Sequence, residues 1–185
     1  MAGCYSGAVP RLKPLPAIWL ISDARNDAAL EAALRRLPRG SGLVFRHYHL
    51  GEAARRARFD ALARLAQARG HVVALAGSRA QARRWGADKA YGPGGHLVPV
   101  HDLREIGRAA RAEALLLSPA FPTRSHPGAK ALGPLRFRLL AARARVPVFA
   151  LGGMNRRSAE RLKWPRWAGI DAFCDEANPR NPKDS

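Results

Sequence analysis

The sequence has 185 residues, 47% of them hydrophobic, and carries a formal net charge of +18. This length supports one sizeable core and one domain, and it is short for a barrel of eight strands and eight helices, which takes about 250 residues. No apolar run approaches the roughly 20 residues of a membrane helix, and residues 1–16 lack the apolar segment of a signal peptide, so we expect a cytoplasmic protein.

Short apolar runs alternate with segments of helical periodicity along the chain. The apolar runs predict eight strands, at 17–22, 42–50, 71–77, 88–92, 96–101, 114–121, 146–153 and 168–174. We expect helical segments in the seven intervals between them, and the periodicity is seen at 27–37, 52–70, 78–87, 102–113, 132–145 and 155–164.

This alternation predicts parallel strands joined by right-handed crossovers in a sheet that is buried on both faces. Eight units favour a small (β/α)₈ TIM barrel in the class of α/β proteins. An open doubly wound sheet is the alternative, but no GxGxxG follows the first strand to support it.

The ends of the chain differ from its middle in composition. We expect a flexible leader over residues 1–16, a single barrel domain over 17–174, and a disordered tail over 175–185, where the sequence is "EANPRNPKDS" after Asp175. We therefore expect the eighth helix of the barrel to be missing. Its absence would uncover apolar surface between the first and seventh helices, which would be either a homodimer contact or a cost to stability.

The positive charge comes mainly from arginines spaced among alanines and leucines, as in "ARRARFDALARLAQAR". This spacing is typical of solvated outer helix faces and argues against a nucleic-acid partner, with weak polyanion binding and attraction of anionic substrates as alternatives. The two cysteines, Cys4 and Cys174, are not clustered with histidines, which predicts neither a zinc site nor a disulfide framework.

Two loops carry residues suited to a phosphate group. Gly152 and Gly153 follow the seventh strand, where glycine lets backbone N–H groups approach an anion and the next helix offers its positive end. The alternative is a tight turn that only needs positive φ. The loop after the sixth strand supplies Thr123, Ser125 and His126, and barrels commonly bind phosphate at this rim.

The stretches "SPAFPTRSHPGAKALGPLRF" and "VPVFALGGMNRRSAERL" resemble the thiamine phosphate synthase/thiazole tautomerase family, whose sixth strand leads into G-P-x-F-P-T-x-T-K and whose seventh ends in I-G-G. Weaker similarity extends over residues 17–173. The resemblance implies a (β/α)₈ barrel that couples a pyrimidine diphosphate to a thiazole phosphate and releases pyrophosphate with the help of Mg²⁺. Small phosphorylated molecules are then its substrates.

The resemblance transfers unevenly to this sequence. Thr123, Ser125, Gly152 and Gly153 stand at the family's thiazole-phosphate positions, and His126 replaces a lysine, so it is cationic only when protonated. On the diphosphate side, Arg46 is retained, and the resemblance makes Arg46 and His126 the candidate catalytic residues.

The rest of the family's diphosphate side is replaced. Val44 and Tyr48 replace Gln and Lys, Ala76 and Gly77 replace Asn-Asp, glycines of "GPGG" replace an acid, and Pro99 lies near the family's serine. Mg²⁺ needs oxygen ligands, usually including carboxylates, so we predict no metal site here. The tautomerase branch places a histidine where this chain has Pro119, which argues against that activity.

We therefore expect a thiamine phosphate synthase-like protein. The alternatives are a catalytically degenerate barrel that binds a thiazole phosphate or thiamine phosphate, and a basic protein associated with nucleic acid. A zinc site at His47 and His49 is a further alternative, but strand alternation turns both rings away from the barrel interior if Arg46 points inward. We expect "WPRW", residues 164–167, to pack against the barrel wall rather than to stack on bases.

Overall fold

The computed structural model describes residues 14–123, 128 and 130–174. Most of the expected leader and all of the expected tail lie outside these ranges, so both stay predictions. None of the helices within them combines the length and the apolar character that a bilayer crossing requires.

Eight parallel strands close into a barrel in which each strand pairs with its neighbours in chain order and β8 pairs with β1. This confirms the predicted fold class. The observed strands are shorter than the apolar runs that predicted them, because the ends of several runs lie in loops. They are β1 Ile18–Ile21, β2 Gly42–Phe45, β3 Val72–Ala76, β4 Lys89–Tyr91, β5 Leu97–Val100, β6 Ala114–Leu117, β7 Val148–Ala150 and β8 Trp167–Gly169.

Six α-helices connect the strands within the described ranges, and a 3₁₀-helix, Ala24–Ala29, precedes the first of them. They are α1 Leu30–Arg36, α2 Glu52–Ala68, α3 Arg79–Trp85, α4 Leu103–Arg108, α5 Gly133–Ala141 and α6 Arg156–Leu162. The expectation of a helix in all seven intervals is wrong between β4 and β5. That connection has only five residues, three of them glycines, which is too short for a helix packed on the barrel.

Side-chain caps mark where the helices begin. Ser78, Asp102 and Asn155 each accept a hydrogen bond from a backbone N–H in the first turn of α3, α4 and α6. Such caps satisfy amide groups that have no partner inside the helix and typically contribute about 1 kcal/mol each. The polar residue after a strand therefore sets where the returning helix starts.

The core has two parts because successive strand residues point to opposite faces. One set fills the barrel interior, where Trp19 takes the space that a side chain at Gly42 would need: a Cβ there would lie 2.2 Å from the indole ring. The opposite set packs under the helices, as Phe45 of β2 does against Phe59 of α2. Both sets are buried, and this explains the continuous apolar strands.

The chain after β8 forms turns up to Cys174, the last described residue, and no helix follows in this stretch. A groove of about 670 Å³ lies where a further helix would pack. Phe173 partly covers it by stacking on Trp167, with ring centres 5.2 Å apart, and Arg36 donates a hydrogen bond to the Phe173 carbonyl. Among the described residues, this groove lies where the sequence predicted an uncovered surface, while the missing eighth helix and the homodimer contact stay predictions.

Candidate functional site

The loops after β6 and β7 pack tightly against each other at the carboxyl end of the barrel. Ala120 donates a backbone hydrogen bond of 2.8 Å to Leu151, and Phe121 donates one of 3.0 Å to Gly152. At the far end of the loop after β6, Leu132 returns to the Pro119 carbonyl at 2.9 Å. Both ends of the loop that carries Thr123 are therefore anchored to the barrel.

Gly152 and Gly153 are required by this packing. Both have positive φ, +88° and +63°. A Cβ at position 152 would lie 2.8 Å from Pro119 Cα, and one at position 153 would lie 2.4 Å from the Pro122 carbonyl oxygen. Any larger residue would separate the two loops, so the tight-turn interpretation of this glycine pair applies whether or not a ligand binds.

The same turn also presents backbone donors. Within the described part of the chain, the N–H groups of Gly152 and Gly153 have no hydrogen-bond acceptor. Thr123, partly exposed, stands on the facing loop. Ser125 and His126 lie outside the described residues, so their predicted part in this site stays a prediction.

The amino end of α6 is less suited to binding an anion than the sequence pattern suggested. The Asn155 side chain accepts from the Ser158 N–H, and the Ser158 hydroxyl accepts from the Asn155 N–H, which forms a capping box. The helix has only seven residues. The turn of Gly152 and Gly153 therefore offers backbone donors to an anion that the start of this helix does not.

Arg46 follows β2 at the same end of the barrel, and its main chain is held from two sides. Its N–H donates to Ser22 Oγ at 2.8 Å, and its carbonyl accepts from Arg55 Nε at 2.9 Å. The side chain is partly exposed, with Nη2 3.8 Å from an Asp23 carboxylate oxygen. The Arg46 guanidinium is thus a positioned cation at the barrel mouth, loosely paired with one acid.

Asp23 is more strongly engaged by Arg25 than by Arg46. Partial burial opposes ionisation, but hydrogen bonds from Arg25 and the charges of Arg25 and Arg46 together lower the pKa of Asp23. The carboxylate also caps the 3₁₀-helix. Asp23 is therefore an ionised structural acid that leaves Arg46 available to an incoming anion.

Sequence reasoning missed Arg55, which lies in the first turn of α2. Its Nη2 donates to the Ala76 carbonyl at 2.7 Å, and its guanidinium lies 5.5 Å from the Tyr48 ring centre. Tyr48 is 63% exposed, and the Arg46 guanidinium also lies within 5.8 Å of the ring. Nothing in the local sequence distinguishes Arg55 from the other arginines of α2.

The two histidines that follow β2, His47 and His49, do not form a zinc site. His47 is buried outside the barrel and stacks on Phe45, with ring centres 4.6 Å apart. The sequence predicted this side for a continuing strand, but β2 ends at Phe45 and His47 has a φ of +40°. Both of its ring nitrogens are engaged, by Ser22 Oγ at 2.8 Å and by Asp27 Oδ1 at 2.7 Å. The His49 ring is 5.1 Å away, but His47 has no nitrogen left for a metal.

The two tryptophans of "WPRW" pack on the barrel, as expected. Trp164 donates its indole N–H to the Val148 carbonyl at 2.8 Å, and Trp167 is buried in β8. His101, which follows β5, is exposed and hydrogen-bonded to Glu105 at 2.9 Å. These groups have structural partners and no place in the site.

The family's Mg²⁺ does not fit the strand ends. Ala76 and Gly77 end β3, Gly92 follows β4, and Pro99 lies within β5, so these positions provide no carboxylate. In the described ranges, no three His, Cys, Asp or Glu side chains come together as metal ligands. We therefore derive no chemical step through a metal ion.

Comparisons with known proteins agree with the barrel fold. Residues 97–174 match the family model described as thiamine monophosphate synthase. A solved thiamine phosphate pyrophosphorylase from Pyrococcus furiosus superposes with a TM-score of 0.69 at 19% identity, over 84% of this chain and 85% of that one. A structure described as native KDPGal gives a TM-score of 0.53 at 17% identity, over 92% and 87%. At these identities the solved structures establish the fold alone, and no curated protein matches significantly.

Proposed function

We propose, from the match of residues 97–174 to the thiamine monophosphate synthase family model, that this chain is a member of that family and binds a small phosphate ester at the mouth of the barrel. The site consists of the turn of Gly152 and Gly153 together with Thr123, and with Ser125 and His126 from the same loop. The expected ligand is a phosphorylated thiazole or a closely similar molecule.

One observation carries this proposal. The turn after β7 holds two N–H groups that have no acceptor among the described residues, directly beside the anchored loop of Thr123. Backbone N–H groups pointing into a shared concavity bind oxyanions, and they do so at this rim in many parallel barrels. A fixed turn that loses no freedom on binding also lowers the entropic cost of capturing the phosphate.

The reaction we propose is the coupling that the family performs. The bond between the pyrimidine methylene carbon and the diphosphate oxygen breaks, its electron pair leaves with pyrophosphate, and the thiazole nitrogen forms the new bond to that carbon. The chain would contribute orientation of the two ligands and stabilisation of the leaving diphosphate by the Arg46 guanidinium.

A second function is favoured by the replaced strand ends. Ala76, Gly77 and Gly92 leave the β3 and β4 edge without carboxylates. A barrel with this edge can retain the phosphate ester site and lack turnover, and it would then act as a binding or regulatory protein for a thiazole phosphate or thiamine phosphate.

Two measurements separate these functions. Isothermal titration of the full chain with thiazole phosphate tests binding, and formation of thiamine phosphate from both substrates, with and without Mg²⁺, tests turnover. Replacing Thr123 and Ser125 together by alanine should weaken binding by about tenfold or more. The exposed Arg104→Ala on α4 is the control and should bind normally.

The outcomes are distinct. Binding with turnover supports the synthase, and binding without turnover supports the regulatory barrel. Absence of binding by folded protein, or equal affinity in the double variant, would remove the proposed phosphate site.

A further inference from the structure

A second cation, Arg55, is fixed at the carboxyl ends of β2 and β3. Its Nε donates to the Arg46 carbonyl at 2.9 Å, and its Nη2 donates to the Ala76 carbonyl at 2.7 Å. Both acceptors are main-chain oxygens at strand ends, so the guanidinium plane is determined by the barrel itself. This restraint removes most of the side-chain freedom that a surface arginine would lose on binding a ligand.

Aromatic rings surround this guanidinium on the helix side. Its central carbon lies 5.8 Å from the ring centre of Phe45, 5.3 Å from that of Trp85 and 5.5 Å from that of Tyr48. Burial lowers the pKa of Arg55, although an arginine stays charged at any physiological pH. The described residues provide no carboxylate that pairs with it. A partly desolvated cation of this kind attracts anions more strongly than one in bulk water.

The position of Arg55 matters because the family resemblance places Asn-Asp, a metal-binding pair, at the end of β3. This chain has Ala76 and Gly77 there, and the Ala76 carbonyl is already taken by Arg55. A fixed positive charge at this place repels a divalent cation. The β2–β3 edge of the mouth has thus changed from a metal-binding edge to a cationic one.

We propose that Arg46 and Arg55 bind a phosphate or diphosphate group directly, with no divalent cation, at the carboxyl ends of β2 and β3. The Nη1 of Arg55 donates to no described residue, and the polar contact of the Arg46 guanidinium among the described residues is the one with Asp23 at 3.8 Å. Tyr48 lies close to both guanidinium groups and is exposed, so an anion can approach beside its ring. The inference rests on the proposed function, because this site would hold the second phosphorylated ligand of the same mouth.

Inorganic pyrophosphate is the probe for this site. Titration of the full chain should give the same affinity in excess EDTA and at low free Mg²⁺. Arg55→Met keeps the apolar stem against Phe45 and Trp85 and removes the charge, so affinity should fall by about tenfold or more. Arg55→Lys keeps the charge but lacks the planar guanidinium, so its affinity for pyrophosphate should lie between that of the parent chain and that of Arg55→Met. Arg64→Met is the matched control, because Arg64 is exposed on the same helix, nine residues away from Arg55.

The titration is repeated in a Thr123→Val background, which impairs the proposed phosphate ester site and leaves this one intact. Loss of pyrophosphate affinity on Arg55→Met in both backgrounds supports the inference even where thiazole phosphate does not bind. A requirement for Mg²⁺, or unchanged affinity in folded Arg55→Met, overturns it. Binding that is sensitive to Thr123→Val alone also overturns it, because pyrophosphate then occupies the other site. If Arg55→Met does not fold, the comparison of Arg55→Lys with the parent decides.

Discussion

Ser22 and His47 are joined by a buried hydrogen bond of 2.8 Å between Oγ and Nδ1, although they are 25 residues apart. Ser22 Oγ accepts the Arg46 N–H, so its own hydrogen is donated to Nδ1, and Nε2 of the neutral ring donates to Asp27. Three oriented groups thus hold the end of β2, and with it the Arg46 backbone, in place. This arrangement links the acid stability of the protein to the geometry of the barrel mouth.

We expect stability to decline below about pH 6.5. Burial lowers the pKa of His47 against the opposing effect of Asp27, and burial also lowers the pKa of His71 and His96. The unfolded chain, with a histidine pKa of about 6.5, therefore binds more protons than the folded chain as pH falls. Stability is fully present above about pH 6.5 and is lost below it, with a slope approaching 1.4 kcal/mol per pH unit for each such histidine.

Urea unfolding between pH 5 and 8 measures this slope. His47→Asn is the informative variant, because asparagine tolerates the φ of +40° at this position. It should be less stable at pH 8 by about 1–3 kcal/mol, through loss of partners for Ser22 and Asp27, and should show a shallower slope. An unchanged slope would contradict the assignment of acid sensitivity to His47.

Gly153→Ala should damage both stability and ligand binding. The new Cβ would lie 2.4 Å from the Pro122 carbonyl oxygen in a backbone with φ of +63°. Strain of this kind costs about 2 kcal/mol or more, and relief would push the loop of Thr123 away. Thermal unfolding and thiazole phosphate titration measure the two effects.

Gly107→Ala is the control for that substitution. Gly107 lies in α4 with no atom within 4 Å of a new Cβ, so alanine should stabilise the protein by about 0.5–1 kcal/mol. Equal behaviour of the two variants would show that the turn after β7 is not constrained as the structure indicates.

The amino end of the barrel holds a buried ion pair between Lys89 and Glu113. Lys89, the first residue of β4, is 3% exposed, whereas Glu113 is partly exposed. Glu113→Ala should cost about 1–3 kcal/mol because it strands a buried cation, while Lys89→Met should cost less because it removes the charge as well. Denaturant unfolding measures this order, and the reverse order would disprove it. Ligand affinity should not change, since this end is remote from the mouth.

Phe173→Ala should open the groove beside β8. Phe173 stacks on Trp167 at an interplanar angle of 14°, and its removal should cost about 1–2 kcal/mol. Trp167 would become more accessible, so fluorescence emission should shift to longer wavelength. Leu139→Ala on the exposed face of α5 should change stability by less than about 0.5 kcal/mol. No spectral shift in Phe173→Ala would mean that this ring does not cover the groove.

The sequence predicted the barrel fold and the position of the loops after β6 and β7 well, while phosphate binding by these loops stays a prediction. Strand and helix order follow from local patterns, because a strand buried on both faces must be apolar throughout and its helix must be apolar on one side only. The glycines after β7 were also identified from a local signal, because a turn with positive φ favours glycine in the sequence. The capping residues Ser78, Asp102 and Asn155 also begin their helices where the pattern indicated.

Contacts between distant segments were not predictable in this way. The sequence wrongly predicted a helix between β4 and β5, because the repeating strand–helix pattern was extended to a connection of only five residues. Arg55 looks like any other arginine of α2 until its distance to the Ala76 carbonyl is known. His47 was expected to face away from the interior, but its bonds to Ser22 and Asp27 depend on how β1 packs beside β2.

The amino-acid sequence by itself determined the eight-strand barrel, the order of its elements and the two loops after β6 and β7. These features depend on short-range periodicity and on backbone conformations that few residues adopt. Only the tertiary structure decided that Arg55 lies beside Arg46 at the mouth and is fixed at the end of β3. A side chain's partners are set by strand pairing and helix packing across many residues, and no local pattern records them.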